Sequence, residues 1–272
     1  MLDDGDLRGL LAAVADADLE GLLDLLGSDP LEVDTLVLAD DVEAVADVEL
    51  ERLVLGRVVD LFLAGVIPAF PVYLFDVDGT LLDSAEDICG TIRETLAGTP
   101  KAHLGDEYLK RYIGYHLLHT YTDLFPDAPM EWIEERMQAY RTIYRARDHA
   151  GTRLYPGVHE ALAALGGRKS TATTKKTETV RTVFDRFGLS PYFDHVQGTE
   201  AFPAKPEPDV IFAALEGLKA RPEECLMVGD APPDMEAGRR AGVRICAVRY
   251  GYGDPNELAR WKPDYWIGDL RE

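Results

Sequence analysis

VYLFDVDGTLLDS, at residues 72–84, begins with four apolar residues and continues into a segment rich in acids and turn formers. A short apolar run that ends in turn-forming residues predicts a buried β-strand leading into a loop. Asp76 and Asp78 therefore stand at a strand end, and Gly79 allows a sharp turn there. Two carboxylates this close repel each other, so the arrangement favours a bound hard cation such as Mg²⁺. The alternative is a strand followed by an acidic turn that has no catalytic or metal-binding role.

A second apolar strand with an acidic end occurs much later in the chain. The residues Cys225 to Gly229 are followed by Asp230, and Asp234 comes four residues later, at the start of a helix predicted through 235–241. The carboxyl ends of parallel strands meet at one edge of a sheet. Asp76 and Asp230 are therefore predicted to converge on one cation, although they are 154 residues apart in sequence.

Two polar segments lie between these strand ends. Thr173 belongs to the run from Lys169 to Lys175, which we assign to a second strand although it is unusually polar for a central parallel strand. A third strand is predicted at 193–198. Lys205 then precedes a Pro-Glu-Pro-Asp run, which starts a helix because proline is tolerated in a first helical turn. Considered alone, Lys205 would be interpreted as an exposed loop residue.

In this order the four segments resemble the four motifs of the haloacid dehalogenase-like hydrolases. Asp76 to Thr80 matches DxDGT, Thr173 matches the second motif, Lys205 the third, and residues 229–234 match GDxxxD. The resemblance covers about residues 71–270 and implies a Rossmann-like α/β fold.

Within that family the chain is most similar to the branch that contains phosphoglycolate phosphatase, whose tail also resembles Tyr250-Gly251-Tyr252-Gly253. Ala231 departs from the pattern, because relatives usually have Ser or Thr there. This departure removes no ligand.

The resemblance implies hydrolysis of a phosphate monoester of a small metabolite. Asp76 would attack phosphorus and form an aspartyl-phosphate, while Asp78 would act first as general acid and then as general base. Thr173 and Lys205 would bind the non-transferred phosphate oxygens, with Lys205 also restraining Asp76. Asp78 argues against a haloacid dehalogenase, because those relatives lack this second Asp.

The metal expected from the resemblance is Mg²⁺. Asp76, the backbone carbonyl of Asp78 and Asp230 would hold it, with Asp234 bound directly or through water. Two other functions stay open at this stage. One is a phosphosugar mutase with the same motifs, and the other is a non-catalytic phosphoryl-binding or scaffold protein.

The motif order also predicts the domain organisation. A Rossmann-like core is expected at 71–83 and 155–272, interrupted by an all-helical cap at 84–154 that closes over the active site and selects the substrate. Residues 1–70 form an acidic, mainly helical extension with seventeen Asp/Glu and three Lys/Arg. Packing of its helices on each other or on the core is the simplest role for its apolar faces; a homodimer interface and a docking surface for a basic partner are the alternatives.

Composition excludes several functional classes. A net charge of −21 argues against a nucleic-acid-binding surface. No apolar run is long enough to span a membrane. The N-terminus has no positively charged region before an apolar stretch, so no secretory signal is expected. The three cysteines show no paired spacing, which predicts reduced thiols in a cytoplasmic protein.

Overall fold

The computed structural model of the chain describes residues 67–272. The predicted acidic extension lies almost wholly outside the described residues, so its helices and its role stay predictions.

A five-stranded parallel sheet forms the core of the described part. Its strands run in the order β4-β1-β5-β6-β7, and a separate antiparallel pair, β2-β3, stands apart from it. The strands are β1 (Val72–Phe75), β2 (Leu82–Asp83), β3 (Arg153–Leu154), β4 (Arg168–Thr171), β5 (Cys225–Gly229), β6 (Arg244–Val248) and β7 (Tyr265–Ile267).

The register of the central strand decides which side chains meet. Phe75, the last residue of β1, is paired with Thr171 on one side and with Val228 on the other. The acids that follow β1 and β5 consequently leave the sheet at the same edge.

The helices of residues 67–272 divide between the core and the segment predicted as the cap. They are α1 (Ala85–Thr95), α2 (Asp106–Leu109), α3 (Leu117–Leu124), α4 (Met130–Arg147), α5 (Val158–Ala164), α6 (Thr177–Phe187), α7 (Asp209–Leu218), α8 (Pro232–Ala241) and α9 (Pro255–Arg260).

Helices cover both faces of the sheet. Successive residues of a strand point to opposite faces. Val72 and Leu74 accordingly belong to the apolar cluster that includes α7 and α8, whereas Tyr73 and Phe75 belong to the cluster that includes α5 and α6. Burial on both sides explains why β1 is continuously apolar. The predicted α/β class is confirmed.

The helices α1 to α4 build a separate apolar cluster. Ile88, Tyr121, Ile133 and Tyr140 are buried in it. The β2-β3 pair joins this helical unit to the sheet domain, because the chain leaves the sheet domain through β2 and returns through β3. The helices α1 to α4 therefore lie within the range 84–154 assigned to the cap, which ends in the strand β3; that this segment acts as a cap stays a prediction.

The predicted strand at 193–198 is wrong, since the structure has only an isolated bridge there, between Thr173 and Gly198. Side chains interrupt the regular ladder along this segment, where the N–H groups of Asp194 and His195 both donate to the Lys169 carbonyl. Asp194 accepts the backbone N–H of Lys169, and the Thr171 hydroxyl both accepts from the Gln197 N–H and donates to the Gln197 carbonyl. With these backbone groups already bonded, a continuous strand pairing does not form. The second strand also ends earlier than predicted, at Thr171.

The cysteines are free and buried, in agreement with the prediction. Burial raises the pKa of Cys89, Cys225 and Cys246 to about 12, so none has thiolate character near neutral pH. Within residues 67–272 no helix combines the length and the apolar character that a membrane crossing requires.

Candidate active site

Asp76 is the first residue after β1. Its N–H donates to the Val228 carbonyl at 2.9 Å, which extends the pairing with β5 by one residue. Its Oδ1 accepts from Lys205 Nζ at 2.8 Å, while Oδ2 is buried with no hydrogen-bond partner among the described residues. Burial raises the pKa of Asp76 to about 7; Lys205 opposes this rise, and the Asp234 and Asp78 carboxylates add to it. The side chain thus keeps one oxygen available for a ligand.

Lys205 is fully buried beneath the site. Its ammonium donates to Asp76 Oδ1 at 2.8 Å, Asp234 Oδ1 at 2.5 Å and the Ala172 carbonyl at 2.8 Å. An ammonium has three N–H donors, so all of them are used. This arrangement supports the predicted restraint of Asp76. Contact with a phosphate oxygen would require one of these bonds to be exchanged.

Asp230 follows β5 and is fixed from two sides. Thr80 Oγ1 donates to its Oδ1 at 3.1 Å, and the Tyr252 N–H donates to its Oδ2 at 2.9 Å. Glycine is required beside it, because a Cβ on Gly79 (φ +92°) or on Gly251 would lie 2.2 Å from Asp230 atoms. The carboxylate is therefore held rigidly by the chain packed against it.

Burial raises the pKa of Asp230 well above its ordinary value, and the carboxylates of Asp234 and Asp76 raise it further. Asp234 lies at the N-terminus of α8, where its Oδ2 accepts the N–H groups of Asp230 and Ala231 at 3.1 and 2.9 Å. Its Oδ1 is bound to Lys205. Asp234 Oδ2 thus accepts two N–H groups and Oδ1 accepts one ammonium, so one lone pair on Oδ1 remains for a cation or for a water molecule bound to one.

The donor set fits a hard divalent cation. One carboxylate oxygen from each of Asp76, Asp230 and Asp234 lies within 4.8 Å of the others, and all three residues are buried. Buried carboxylates that repel each other are stabilised by a cation, and an all-oxygen set suits Mg²⁺. Within residues 67–272 the only ammonium that pairs with these three carboxylates is that of Lys205, so the cluster favours an additional cation.

Asp78 turns away from that cluster. Its Oδ1 accepts from Ser84 Oγ at 2.5 Å, and its Oδ2 is 2.7 Å from Lys175 Nζ. The carboxyl group therefore lies beside the metal site rather than in it. The roles of its backbone carbonyl toward the metal and of its side chain in proton transfer stay predictions.

Thr173 stands at the same edge of the sheet, two residues beyond the end of β4. It is buried, its Oγ1 accepts from the Lys175 N–H at 3.4 Å, and its carbonyl accepts from Thr199 Oγ1 at 2.9 Å. Because β4 neighbours β1, Thr173 flanks Asp76, but no hydrogen bond joins the two residues within 67–272. Its role toward phosphate stays a proposal.

Sequence reasoning missed Lys175. The lysine lies at the end of the polar run that contains Thr173, is partly buried with 11% of its side chain exposed, and contacts Asp78 as described above. Burial alone would lower its pKa, but the neighbouring Asp78 and Tyr144 more than offset this effect and raise it. The signal available in the sequence was the position of Lys175 shortly after a strand end. The polar run contains both Lys169 and Lys175, however, and does not show which of them faces the site.

The sequence analysis identifies Tyr252 only as part of the segment 250–253, which resembles the tail of phosphoglycolate phosphatases. Its hydroxyl accepts the N–H groups of Ser84 and Ala85 at 2.8 and 3.0 Å and donates to Asp83 Oδ1 at 2.7 Å. Because the Ser84 hydroxyl is used on Asp78, Tyr252 caps α1 in its place. The backbone N–H of Tyr252 also donates to Asp230, so this residue connects the loop that carries Asp230 with the start of α1.

Two cavities lie between the sheet domain and the helical insertion. The one that contains Asp78 has a volume of about 540 Å³, and its wall includes Tyr144, Lys175 and Arg141. The other, of about 820 Å³, is lined by Lys110, Arg153 and other residues. Of the four acids of the site, Asp78 alone lines the first cavity, and none lines the second. We assign the substrate to the 540 Å³ cavity, because proton transfer requires contact with Asp78.

Comparison with known proteins agrees with this geometry. The model of the family described as haloacid dehalogenase-like hydrolase matches residues 73–248. The chain is 33% identical to a phosphoglycolate phosphatase of Aquifex aeolicus, over 66% of this chain and 85% of the relative. It is 32% identical to the pyrophosphatase PpaX of Listeria monocytogenes, over 73% and 92%. Among solved structures, a haloacid dehalogenase-like family hydrolase from Streptococcus pneumoniae aligns with a TM-score of 0.67 at 26% identity, covering 74% of this chain and 95% of that one.

Proposed function

The chain belongs to the haloacid dehalogenase-like hydrolases and is a phosphatase of that family, and on this basis we propose that it hydrolyses a small phosphate monoester with Asp76 as nucleophile. The observation that carries the proposal is the state of the Asp76 carboxylate. One oxygen is held by Lys205, and the other is buried without a partner beside Asp230. A nucleophile needs this combination of fixed orientation and a free oxygen.

The reaction proceeds in two displacements. The free Asp76 oxygen attacks phosphorus, the bond from phosphorus to the ester oxygen breaks, and Asp78 donates a proton to the departing oxygen. A water molecule then attacks the aspartyl-phosphate and gives one proton to Asp78, which releases inorganic phosphate and restores both carboxyl groups. Asp78 can serve both steps because it lies two residues from the nucleophile and lines the substrate cavity.

Asp76, Asp230 and the Asp78 carbonyl would hold Mg²⁺, with Asp234 acting through water or directly. The ion would supply positive charge that reduces the repulsion between an anionic nucleophile and an anionic substrate. Lys205 restrains Asp76. Thr173 and Lys205 bind the substrate phosphate oxygens that take no part in bond making or breaking. Lys205 does so after exchange of one of its present hydrogen bonds.

The names of the relatives narrow the substrate. Relatives are called phosphoglycolate phosphatase and pyrophosphatase, which suggests a small phosphorylated metabolite and 2-phosphoglycolate as the first compound to test. We also propose a cytoplasmic location, because the three cysteines are free and buried.

Release of inorganic phosphate from a panel of monoesters with Mg²⁺ tests the proposal. Asp76→Asn should lose about a thousandfold or more in turnover, as when other catalytic nucleophiles are removed. Asp127→Asn, on an exposed cap residue, is the matched control and should keep full activity. Comparable phosphate release from folded Asp76→Asn protein would contradict the mechanism. Isomerisation of a phosphosugar without net phosphate release would identify a mutase instead.

A further inference from the structure

Lys175 connects the general acid to the helical cap. Its Nζ lies 2.7 Å from Asp78 Oδ2 and donates to the Tyr144 hydroxyl on α4 at 2.8 Å. The ammonium also stands 4.8 Å from the centre of the Tyr144 ring. A single side chain of the sheet domain thus contacts both the proton-transfer residue and the cap.

The ammonium of Lys175 retains one donor. Only 11% of the side chain is exposed, and an ammonium has three N–H groups, of which Asp78 and Tyr144 take two. The side chain lines the 540 Å³ cavity assigned to the substrate. An ammonium N–H that faces a cavity can donate to a ligand there, and a hydrogen bond between charged groups is stronger than one between neutral groups.

The surroundings make Lys175 the cation nearest to the acid. Burial lowers the pKa of His149, which lies 3.5 Å from the Tyr144 hydroxyl, and Lys175 lowers it further, so this imidazole is neutral near pH 7. Lys205, the other buried lysine of the site, uses all its donors on Asp76, Asp234 and Ala172.

Distance relates Lys175 to the substrate. Asp78 must approach the leaving oxygen to about 3 Å in order to protonate it. Because Nζ is 2.7 Å from the same carboxyl group, it lies within about 6 Å of a leaving oxygen that contacts Oδ2. An anionic group whose central atom is within two bonds of the leaving oxygen reaches roughly 3 Å from that oxygen towards Nζ, and so spans about half of this distance.

We infer that Lys175 is a specificity-determining residue whose remaining N–H binds a second anionic group, centred within two bonds of the leaving oxygen of the substrate. A carboxylate on the adjacent carbon and the second phosphate of an anhydride share this chemistry. The inference rests on the proposed function, since it places the leaving group at Asp78. It adds the reason why one class of phosphate compound is preferred.

The test compares 2-phosphoglycolate and inorganic pyrophosphate with ethyl phosphate, which carries a methyl group where 2-phosphoglycolate has its carboxylate. The measured quantity is the ratio of kcat/KM for each anionic compound to that for ethyl phosphate, in Mg²⁺. The wild-type protein should favour at least one anionic compound. Lys175→Met should reduce that preference roughly 10- to 100-fold, the size of a lost charged hydrogen bond. Lys175→Arg should restore part of it.

Lys176→Met provides the matched control. Lys176 is the next residue and lines the same cavity, yet its ammonium makes no hydrogen bond or ion pair within residues 67–272. This variant should leave the ratio unchanged. A selective loss for only one anionic compound would support the inference and identify the anion.

Two results would overturn the inference. The first is a wild-type protein that hydrolyses ethyl phosphate as efficiently as both anionic compounds. The second is a Lys175→Met variant with equal losses on charged and neutral compounds, which would mean that the lysine serves Asp78 alone. Absence of phosphate release from every compound by the wild-type protein would instead refute the proposed function.

Discussion

Replacing Lys205 with methionine should destabilise the protein in a pH-dependent way. The change leaves Asp76 and Asp234 buried without their shared cation, and both side chains are 1% exposed or less. Removing one partner of a buried ion pair costs about 3–5 kcal/mol. In a domain of this size, 1 kcal/mol lowers Tm by 2–4 °C, so we expect a fall of roughly 6–20 °C in the metal-free protein at pH 8.

The pH dependence follows from the pKa of Asp76, which is raised from 3.8 to about 7 by folding. A carboxyl group with a raised folded-state pKa binds its proton more tightly when folded. Its contribution to stability is therefore complete below about pH 4 and is lost as the pH rises to 7. Lys205 lowers this pKa, so its removal should extend the loss to higher pH. The Tm difference between wild-type and Lys205→Met protein should be small at pH 5 and large at pH 8.

Thermal unfolding of metal-free protein at the two pH values measures this difference. Lys169→Met is the matched control, because Lys169 is also buried but its ammonium donates to the Gly167 carbonyl and pairs with no carboxylate within residues 67–272. Its Tm shift should be the same at both pH values. Mg²⁺ should recover part of the stability of Lys205→Met at pH 8. An equal Tm loss at pH 5 and pH 8 would refute the electrostatic account.

Four other predictions follow from the site and the domain organisation. Asp230→Ala should weaken Mg²⁺ binding measured by calorimetry, because it removes a fixed buried carboxylate; unchanged affinity would place the metal elsewhere. Tyr252→Phe should speed hydrogen exchange at the first turn of α1 while Mg²⁺ affinity stays near wild type, since only the hydroxyl is lost; unchanged exchange would show that the cap of α1 does not depend on it. Exchanging residues 84–154 for a relative's segment should change the ranking of substrates, and an active chimera with the original ranking would count against selection by the cap. Truncation at Ala69 should keep kcat within a few-fold, because all four motifs lie beyond it, and light scattering should show whether solubility or oligomeric state changes; a folded, Mg²⁺-binding truncation that loses turnover by orders of magnitude would contradict the domain division.

The α/β class and the meeting of the acids could be predicted from local patterns. An apolar run that ends in Asp76 and another that ends in Asp230 each encode a buried parallel strand, and parallel strands present their carboxyl ends together. The structure brings these two residues together with Asp234 as expected. The helical segment between β2 and β3 was likewise predictable, because amphipathic spacing and Pro or Gly breaks are local signals.

The failure at 193–198 has a different cause. Local composition resembles a strand, but Asp194 and Thr171 bond backbone groups with their side chains and so interrupt the ladder. Such competition depends on which residues face each other across the fold. It is therefore invisible in the order of residues.

The class of fold, the residues of the carboxylate cluster and the family that they resemble were predictable from the sequence, because they depend on residue type and spacing along the chain. The pairing of polar groups was not predictable in this way and emerges from the folded chain. The three donors of Lys205, the contact of Lys175 with Asp78 and the capping of α1 by Tyr252 join residues that are 29 to 168 positions apart. Side-chain partners at such separations are selected by burial, since a polar group removed from water bonds to whichever donor or acceptor the packed chain places beside it.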